Sequence, residues 1–320
     1  MNDFHAHEHA GCFRSGPRHL GSIWMWAGLL ACLCLVLHVA YGAPAALGTR
    51  VVSGLQFPEG TVFVGNTLYF VDFGTSDVLR LEGGKIERVW HQDGCGANGL
   101  AQVPEGLMVA CYENGTFVTI KLDGTLLEIL RRDVSGAPFL APNDLALDHK
   151  GGIYFTGSGG NGTLGEVYYR AGHGPVIPVA KDIQFANGLA VSPDGKLLYV
   201  AETRTAIILR YEIRPDGSLG PRETFVDLKG VLRQGGQRRY TPDGVRIDEG
   251  GNLFIALYDG GGYAIVEPDG RLFGQIDVPG THHTNLAISP SASEIYLTSV
   301  EDVPGGYRGE LLVVPNPLRK

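Results

Sequence analysis

Residues 57–72, FPEGTVFVGNTLYFVD, carry the pattern that decides the fold. Pro and a carboxylate lead into an apolar strand, a Gly-Asn turn follows, and a second apolar strand ends at Asp72. The pattern returns five times, with one polar residue at the position of Glu59 in each copy. These six residues are Glu59, Asn98, Asn143, Asn187, Asp243 and Asn285, at intervals of 39, 45, 44, 56 and 42 residues. Intervals of this size are typical of one four-stranded blade per repeat.

The repeat predicts an all-β fold, a six-bladed β-propeller of four-stranded antiparallel blades around a central channel. The chain has 320 residues, 44% of them hydrophobic, and 47 glycines, which suits a globular protein with many turns. The segment Arg50-Val51-Val52 can add the outer strand that the last repeat lacks, beside residues 309–314. Such pairing would join the two ends of the chain and leave no open sheet edge.

The N-terminal residues 1–43 read as a separate segment, and the predicted propeller domain is 44–320. Residues 20–40 are almost wholly apolar, and Ala40-Tyr41-Gly42 resembles a signal-peptide cleavage site. The apolar run is also long enough for an uncleaved membrane anchor. Either alternative predicts export, to the periplasm or outside the cell, with membrane contact only through this segment. The protein is expected to be a monomer.

Two of the five cysteines, Cys95 and Cys111, fall after the leader. An exported domain could join them. If both lie on one hairpin that turns near Glu105, they are offset by several residues. The sequence therefore favours two unpaired thiols.

A metal site is expected where the repeats converge. The first strand of every propeller blade lines the channel, so the six recurring polar residues should point at one axis. Two carboxylates in a narrow channel repel each other and resist desolvation, and a divalent cation removes that cost. All six donors are oxygens, which favours Ca²⁺, with Mn²⁺, Mg²⁺ or Zn²⁺ as alternatives.

The tripeptide Pro-Asp-Gly offers a structural alternative for one of these residues, because it is common in turns. It occurs four times in this chain. The copies at 193–195, 215–217 and 268–270 lie in or beside predicted hairpin turns. The copy at 242–244 instead begins an inner strand, in register with Glu59, so we interpret Asp243 as a ligand.

The chain resembles the SMP-30/gluconolactonase/LRE-like propellers, which are related to the paraoxonases. The resemblance spans about residues 55–300 and is carried by segments 57–72, 141–157, 186–203 and 241–257. It implies a divalent cation held by Glu59, Asn187 and Asp243, with Asn143 contacting the substrate and approaching the metal. It also implies hydrolysis of lactones or related esters, with Asp243 as proton acceptor and donor.

Chemistry at this site needs a polarised carbonyl, a water and a group that takes the water's proton. Asp243 and His283 are the two candidates for the catalytic base, and we place His283 at the channel mouth. Residue 141 is Ala, where sugar lactonases have Arg. This difference disfavours a gluconolactone-type substrate. A more apolar lactone would fit a rim of Phe73, Tyr112 and Tyr258.

Two other functions stay open. One is a non-enzymatic propeller in which the metal is structural and the faces bind a partner or ligand. The other is a lyase or condensing enzyme of the strictosidine-synthase type. The net charge of −8 and the lack of a basic run argue against a nucleic-acid partner.

Overall fold

The computed structural model describes residues 48–160, 162–232 and 240–319. The predicted leader lies outside the described residues, so its role as signal peptide or anchor stays a prediction. Within the described ranges, no helix is both long and apolar enough to cross a membrane. A single helical turn, α1 (Leu228–Val231), follows the fourth blade.

Six four-stranded antiparallel sheets make up the described chain, which confirms the predicted six-bladed β-propeller. The strand that precedes the first blade is β1 (Thr49–Leu55). Blade one contains β2 (Pro58–Val64), β3 (Thr67–Asp72), β4 (Asp77–Glu82) and β5 (Lys85–His91). Blade two contains β6 (Ala97–Val103), β7 (Gly106–Cys111), β8 (Thr116–Ile120) and β9 (Leu126–Leu130). Blade three contains β10 (Pro142–Leu147), β11 (Gly152–Gly157), β12 (Gly165–Ala171) and β13 (Val176–Ile183).

The remaining three blades follow the same up-and-down order. Blade four contains β14 (Ala186–Val191), β15 (Leu197–Glu202), β16 (Ile207–Glu212) and β17 (Glu223–Asp227). Blade five contains β18 (Pro242–Ile247), β19 (Leu253–Leu257), β20 (Gly262–Val266) and β21 (Leu272–Asp277). Blade six contains β22 (His282–Ile288), β23 (Glu294–Val303) and β24 (Gly306–Pro315), with β1 as its outer strand.

The ring closes as the sequence predicts. Strand β1 pairs antiparallel with β24, with Val52 opposite Leu311. The N-terminal strand therefore completes the C-terminal blade. All six sheets lie within residues 49–315, so residues 44–320 contain the whole ring.

Apolar side chains between neighbouring blades form the core. Between blades two and three, Phe117, Phe139, Phe155 and Tyr168 are buried and their rings pack together, with centroids 4.2–5.9 Å apart. Burying each such side chain contributes about 1.5–3 kcal/mol to folding. These contacts hold the blades at fixed angles around the channel and thereby fix the inner strands.

Every inner strand carries a bulge where its polar channel residue lies. The register against the second strand shifts at the same place in β2, β6, β10, β14, β18 and β22. A bulge adds one unpaired residue and re-aims the side chains around it. The bulge therefore turns the recurring Glu, Asn and Asp side chains toward the axis.

The predicted pair of free thiols is wrong, because Cys95 and Cys111 form a disulfide with Cα atoms 4.6 Å apart. Cys95 precedes β6 by two residues, and Ala97 pairs directly with Cys111. Gly96, with φ of 57°, turns the chain so that Cys95 folds back over its partner. This turn compensates for the offset between Cys95 and Cys111 along the hairpin, so their sulfur atoms meet.

Candidate metal centre and active site

The six recurring polar residues lie in the inner strands and are all buried. Their exposed fractions run from 2% for Asn285 to 8% for Asn98. Neighbouring inner strands approach so closely here that a side chain on Gly244 would not fit between them. A Cβ atom on Gly244 would lie only 2.7 Å from Cγ of Asn285. The structure thus brings the predicted residues to one narrow channel.

Glu59 and Asp243 are buried carboxylates at this level of the channel. Burial, together with the negative charges of Asp243 and Asp144, holds the pKa of Glu59 well above its usual range. Burial also raises the pKa of Asp243 well above its usual range, and the hydrogen bond from Asn187 offsets only part of this effect. Neither carboxylate forms an ion pair with a cationic side chain in the described part of the chain.

The amide of Asn187 is oriented by a short chain of hydrogen bonds. Oγ1 of Thr203 donates to the carbonyl oxygen of Pro242 at 2.7 Å. Its one proton is then used, so it accepts from Nδ2 of Asn187 at 3.1 Å. The Oδ1 end of this amide is therefore the end that can face a cation.

Asn98 and Asn285 make contacts that hold the channel together. Nδ2 of Asn98 donates to the backbone oxygen of Asn143 at 3.4 Å. Oδ1 of Asn285 accepts from Oγ1 of Thr61 at 3.1 Å and from the backbone of Leu286 at 2.9 Å. Asn285 thus links blade six to blade one, and its oxygen is less available to a ligand.

The donor set fits a hard divalent cation. Glu59, Asn143, Asn187 and Asp243 offer two carboxylates and two amides, which is the ligand chemistry that Ca²⁺ accepts. Two unpaired buried carboxylates are costly, and a cation would remove the cost. Among the described residues, no group of three or more His, Cys, Asp or Glu side chains has metal-binding geometry. A site here would therefore depend on amide oxygens.

Asp144 and Arg246 also belong to the channel, although the sequence motifs did not indicate them. Asp144 is 1% exposed and follows Asn143. Nη1 of Arg246 lies 2.8 Å from Oδ2 of Asp144. The sequence offered two signals, an Asp next to a predicted ligand and an Arg three residues after Asp243. It could not show that they pair, because the two residues lie in blades three and five, 102 residues apart.

His283 is not exposed to solvent at the predicted channel mouth. It is fully buried within β22, and its Nε2 atom lies 3.2 Å from the carbonyl oxygen of Pro279. Burial lowers the pKa of His283 to about 4. Its Nδ1 atom has no hydrogen-bond partner among the described residues. The inner strand of blade six begins at His282, so both histidines belong to the sheet and not to a loop.

His282, not His283, contacts the residues of the rim loops. Its ring stacks on Tyr258 with centroids 4.2 Å apart. Nδ1 lies 3.4 Å from Asp259 and Nε2 lies 3.0 Å from Asp302. Hydrogen bonding to Asp259, with Asp302 adding to it, raises the pKa of His282 to about 9.

Aromatic side chains form a strip along one side of the rim. Tyr307, Phe57, Phe73 and Tyr112 touch in that order, edge to face, with ring centroids 4.9, 5.7 and 5.9 Å apart. They come from blades six, one and two. Tyr258 is not in this strip, because it stacks on His282. Of the three predicted rim residues, the strip therefore contains Phe73 and Tyr112, and it adds Phe57 and Tyr307.

The fold and the channel define a class of protein: a six-bladed propeller with a ring of oxygen donors inside its channel. The chain belongs to the SMP-30/gluconolactonase/LRE-like family, whose model matches residues 57–301. This membership confirms the resemblance that the sequence motifs predict.

Curated relatives carry named activities. Lactonase drp35 of Staphylococcus aureus is 29% identical over 231 residues, 68% of each chain. Diisopropyl-fluorophosphatase of Loligo vulgaris is 27% identical over 290 residues, 80% of this chain and 90% of the relative. At the level of the family, the predicted class of enzyme, a hydrolase acting on ester bonds, is confirmed.

Solved structures agree with the fold. A gluconolactonase from Xanthomonas campestris superposes with a TM-score of 0.69 at 24% identity, covering 84% of this chain and 89% of that one. Regucalcin from Agrobacterium tumefaciens, described as a calcium-binding protein, superposes with a TM-score of 0.65 at 20% identity, covering 84% and 94%.

Proposed function

We propose that this protein is a Ca²⁺-dependent hydrolase that opens lactones at the channel mouth. The observation that carries the proposal is the pair of buried carboxylates, Glu59 and Asp243, in one channel, with Asn187 hydrogen-bonded to Asp243 and Asn143 buried on inner strand β10. The names of the relatives support it: a lactonase, a gluconolactonase and a calcium-binding regucalcin.

Each residue has a role in the proposed reaction. Glu59, Asn143, Asn187 and Asp243 would hold the cation, which supplies a Lewis acid for the ester carbonyl. Asn143 also contacts the substrate and positions the ring. Asp243 would accept the proton of the attacking water on its carboxylate. The C–O bond of the ring then breaks, and the proton passes to the departing alkoxide.

The aromatic strip indicates the kind of lactone. Four aromatic rings on one side of the rim offer apolar surface to a substituent on the ring, and each CH₂ buried there contributes about 0.8 kcal/mol to binding. Ala141 provides no cation for a polyhydroxylated or acidic ring. The proposed substrates are therefore lactones with an alkyl or aryl side chain.

The test of the reaction uses residues 44–320 with γ-lactones, δ-lactones and aryl esters, with Ca²⁺, Mn²⁺ or Mg²⁺, and with a chelator. We expect turnover that disappears with the chelator and falls at least about 100-fold in Asp243→Asn. Asp194→Asn is the matched control, since it changes one of the exposed turn copies of the same tripeptide. Metal binding without turnover on any ester would favour the non-enzymatic propeller instead.

The test of the substrate class varies the length of the alkyl chain on a γ-lactone. In the unaltered protein, kcat/KM should rise about two- to fourfold per added CH₂. Tyr307→Ala should flatten this slope, whereas Phe273→Ala, which removes an exposed aromatic ring from outer strand β21, should not. Equal slopes in all three proteins would contradict a role for the strip.

Export is proposed as well. A disulfide between Cys95 and Cys111 supports an oxidising compartment, because such bonds are rare in the cytosol. The mass of the mature protein recovered from its native host would decide whether the leader is removed near Gly42.

A further inference from the structure

The side chain of Arg246 crosses the channel directly below the donor ring. It starts on β18 in blade five and reaches Oδ2 of Asp144 on β10 in blade three, 2.8 Å away. Nη2 of Arg246 also donates to the backbone oxygen of Thr61 on β2, at 3.3 Å. One guanidinium thus connects three alternate blades across the axis.

This level of the channel is otherwise lined by small or apolar side chains. The residues at the position of Arg246 in blades one to four are Val62, Ala101, Ala146 and Ala190. Together with Arg246 they line a funnel of about 600 Å³ on the face opposite the donor ring. The ion pair is therefore the floor of the site and separates it from the funnel.

Local charges explain why a cationic floor is needed. Glu59, Asp243 and Asp144 are three buried acidic side chains in one channel, and the single guanidinium leaves a net charge of −2 when all are ionised. One divalent cation neutralises this charge. Without Arg246 the channel would hold an excess buried charge, which is unfavourable in a dry environment.

We propose that Arg246 is a positioning residue. Its guanidinium is the permanent counter-charge of Asp144, so the channel keeps the net charge of −2 that one divalent cation neutralises. This inference rests on the proposed metal site. Asp144 keeps Arg246 across the axis, and the charge that remains for the metal comes from Glu59 and Asp243 alone.

The test is a cycle of charge-changing variants in residues 44–320, with Ca²⁺ affinity measured by calorimetry at pH 7.5. Asp144→Asn leaves the guanidinium without its partner below the donor ring. Ca²⁺ affinity should then fall at least about tenfold, because the positive charge of Arg246, no longer neutralised by Asp144, repels the metal. Asp144→Asn with Arg246→Met restores the net charge of −2, and affinity should return to within about threefold of the unaltered protein.

Glu128→Gln is the matched control. Glu128 pairs with the buried Arg170 at 2.7 Å, on outer strand β9 and away from the channel, so its loss should leave Ca²⁺ affinity unchanged. Circular dichroism melting checks that each variant is folded. A purely structural Asp144–Arg246 pair predicts no rescue in the double variant, and that result would overturn the proposal. No Ca²⁺ binding by the unaltered protein would instead overturn the metal site on which the proposal rests.

Discussion

His282 shows how one side chain can tie two loops to the rim. Its ring nitrogens lie beside Asp259, from the turn after β19, and Asp302, from the long hairpin of β23 and β24. These carboxylates favour the imidazolium, which is why the pKa of His282 rises from its usual 6.5 to about 9. The group therefore binds its proton more tightly in the folded protein than in the unfolded chain.

The contribution of His282 to stability should depend on pH. A folded-state pKa above the unfolded value gives stability that is fully present below about pH 6.5 and is lost as pH rises through 9. We expect His282→Asn to lower the free energy of unfolding by about 1–2 kcal/mol at pH 7, after allowing for solvent screening. At pH 10 the two proteins should have nearly equal stability in urea denaturation. An equal difference at both pH values would contradict this explanation.

Residue identity alone did not separate a buried channel residue from a turn residue, but position in the repeat did. Hydrogen bonds within exposed turns lower the pKa of Asp194, Asp216 and Asp269, whereas burial raises that of Asp243 in the same tripeptide. Blade register could therefore identify Asp243 as a buried channel residue from sequence. It could not show that His283 is enclosed, because that depends on where β22 begins.

Inner strands approach each other so closely that only glycine fits beside several channel residues. A Cβ atom on Gly188 would lie 2.7 Å from the backbone carbon of Gly244 and closer still to the backbone oxygen of Asp243. The position after the recurring polar residue is glycine in blades one, two, four and five, at Gly60, Gly99, Gly188 and Gly244. These glycines let β14 and β18 set the distance between Asn187 and Asp243.

Gly188→Ala should therefore move β14 away from β18. We expect a loss of about 1–3 kcal/mol in the free energy of unfolding and weaker Ca²⁺ binding, measured by urea denaturation and calorimetry. Gly230→Ala is the control, because its Cβ would meet no atom within 4 Å and it lies in helical turn α1. A Gly188→Ala protein with unchanged stability and affinity would show that the inner strands can separate at no cost.

At the level of elements, the periodic pattern predicted the strands and the order of the blades correctly. It did not predict local backbone geometry such as the turn at Gly96. Alternating apolar residues and turn signals are properties of neighbouring residues, so they are visible in the sequence. The disulfide depends on one turn at Gly96, which brings Cys95 back over Cys111, and no spacing rule reveals it. The Asp144–Arg246 pair is likewise a contact between distant blades.

The whole ring depends on the pairing of β1 with β24. This pairing gives blade six its fourth strand and leaves no blade incomplete. The side chains of Val52 and Leu55 are buried in the same cluster as Leu68 and Phe70 of blade one. The strand therefore joins both neighbours at the closure.

A chain that starts at residue 58 should be much less stable than one that starts at residue 48. Loss of β1 exposes the edge of β24 and the apolar surface under Val52 and Leu55. We expect Tm to fall by on the order of 10 °C, with a tendency to aggregate. Differential scanning calorimetry of the two chains measures this difference, and matching Tm values would mean that the ring does not need its closing strand.

Closure by strands from opposite ends also sets the order of events during protein synthesis. β1 leaves the ribosome early, but its partner β24 is made after all the other described strands of the propeller. About a full propeller's length of nascent chain must therefore emerge before the final blade can form, and contacts between such distant segments form slowly. Until then β1 presents an unpaired edge that other strands can join. A cell that makes this protein needs to shield the unfinished chain, and transport across a membrane before folding would do so.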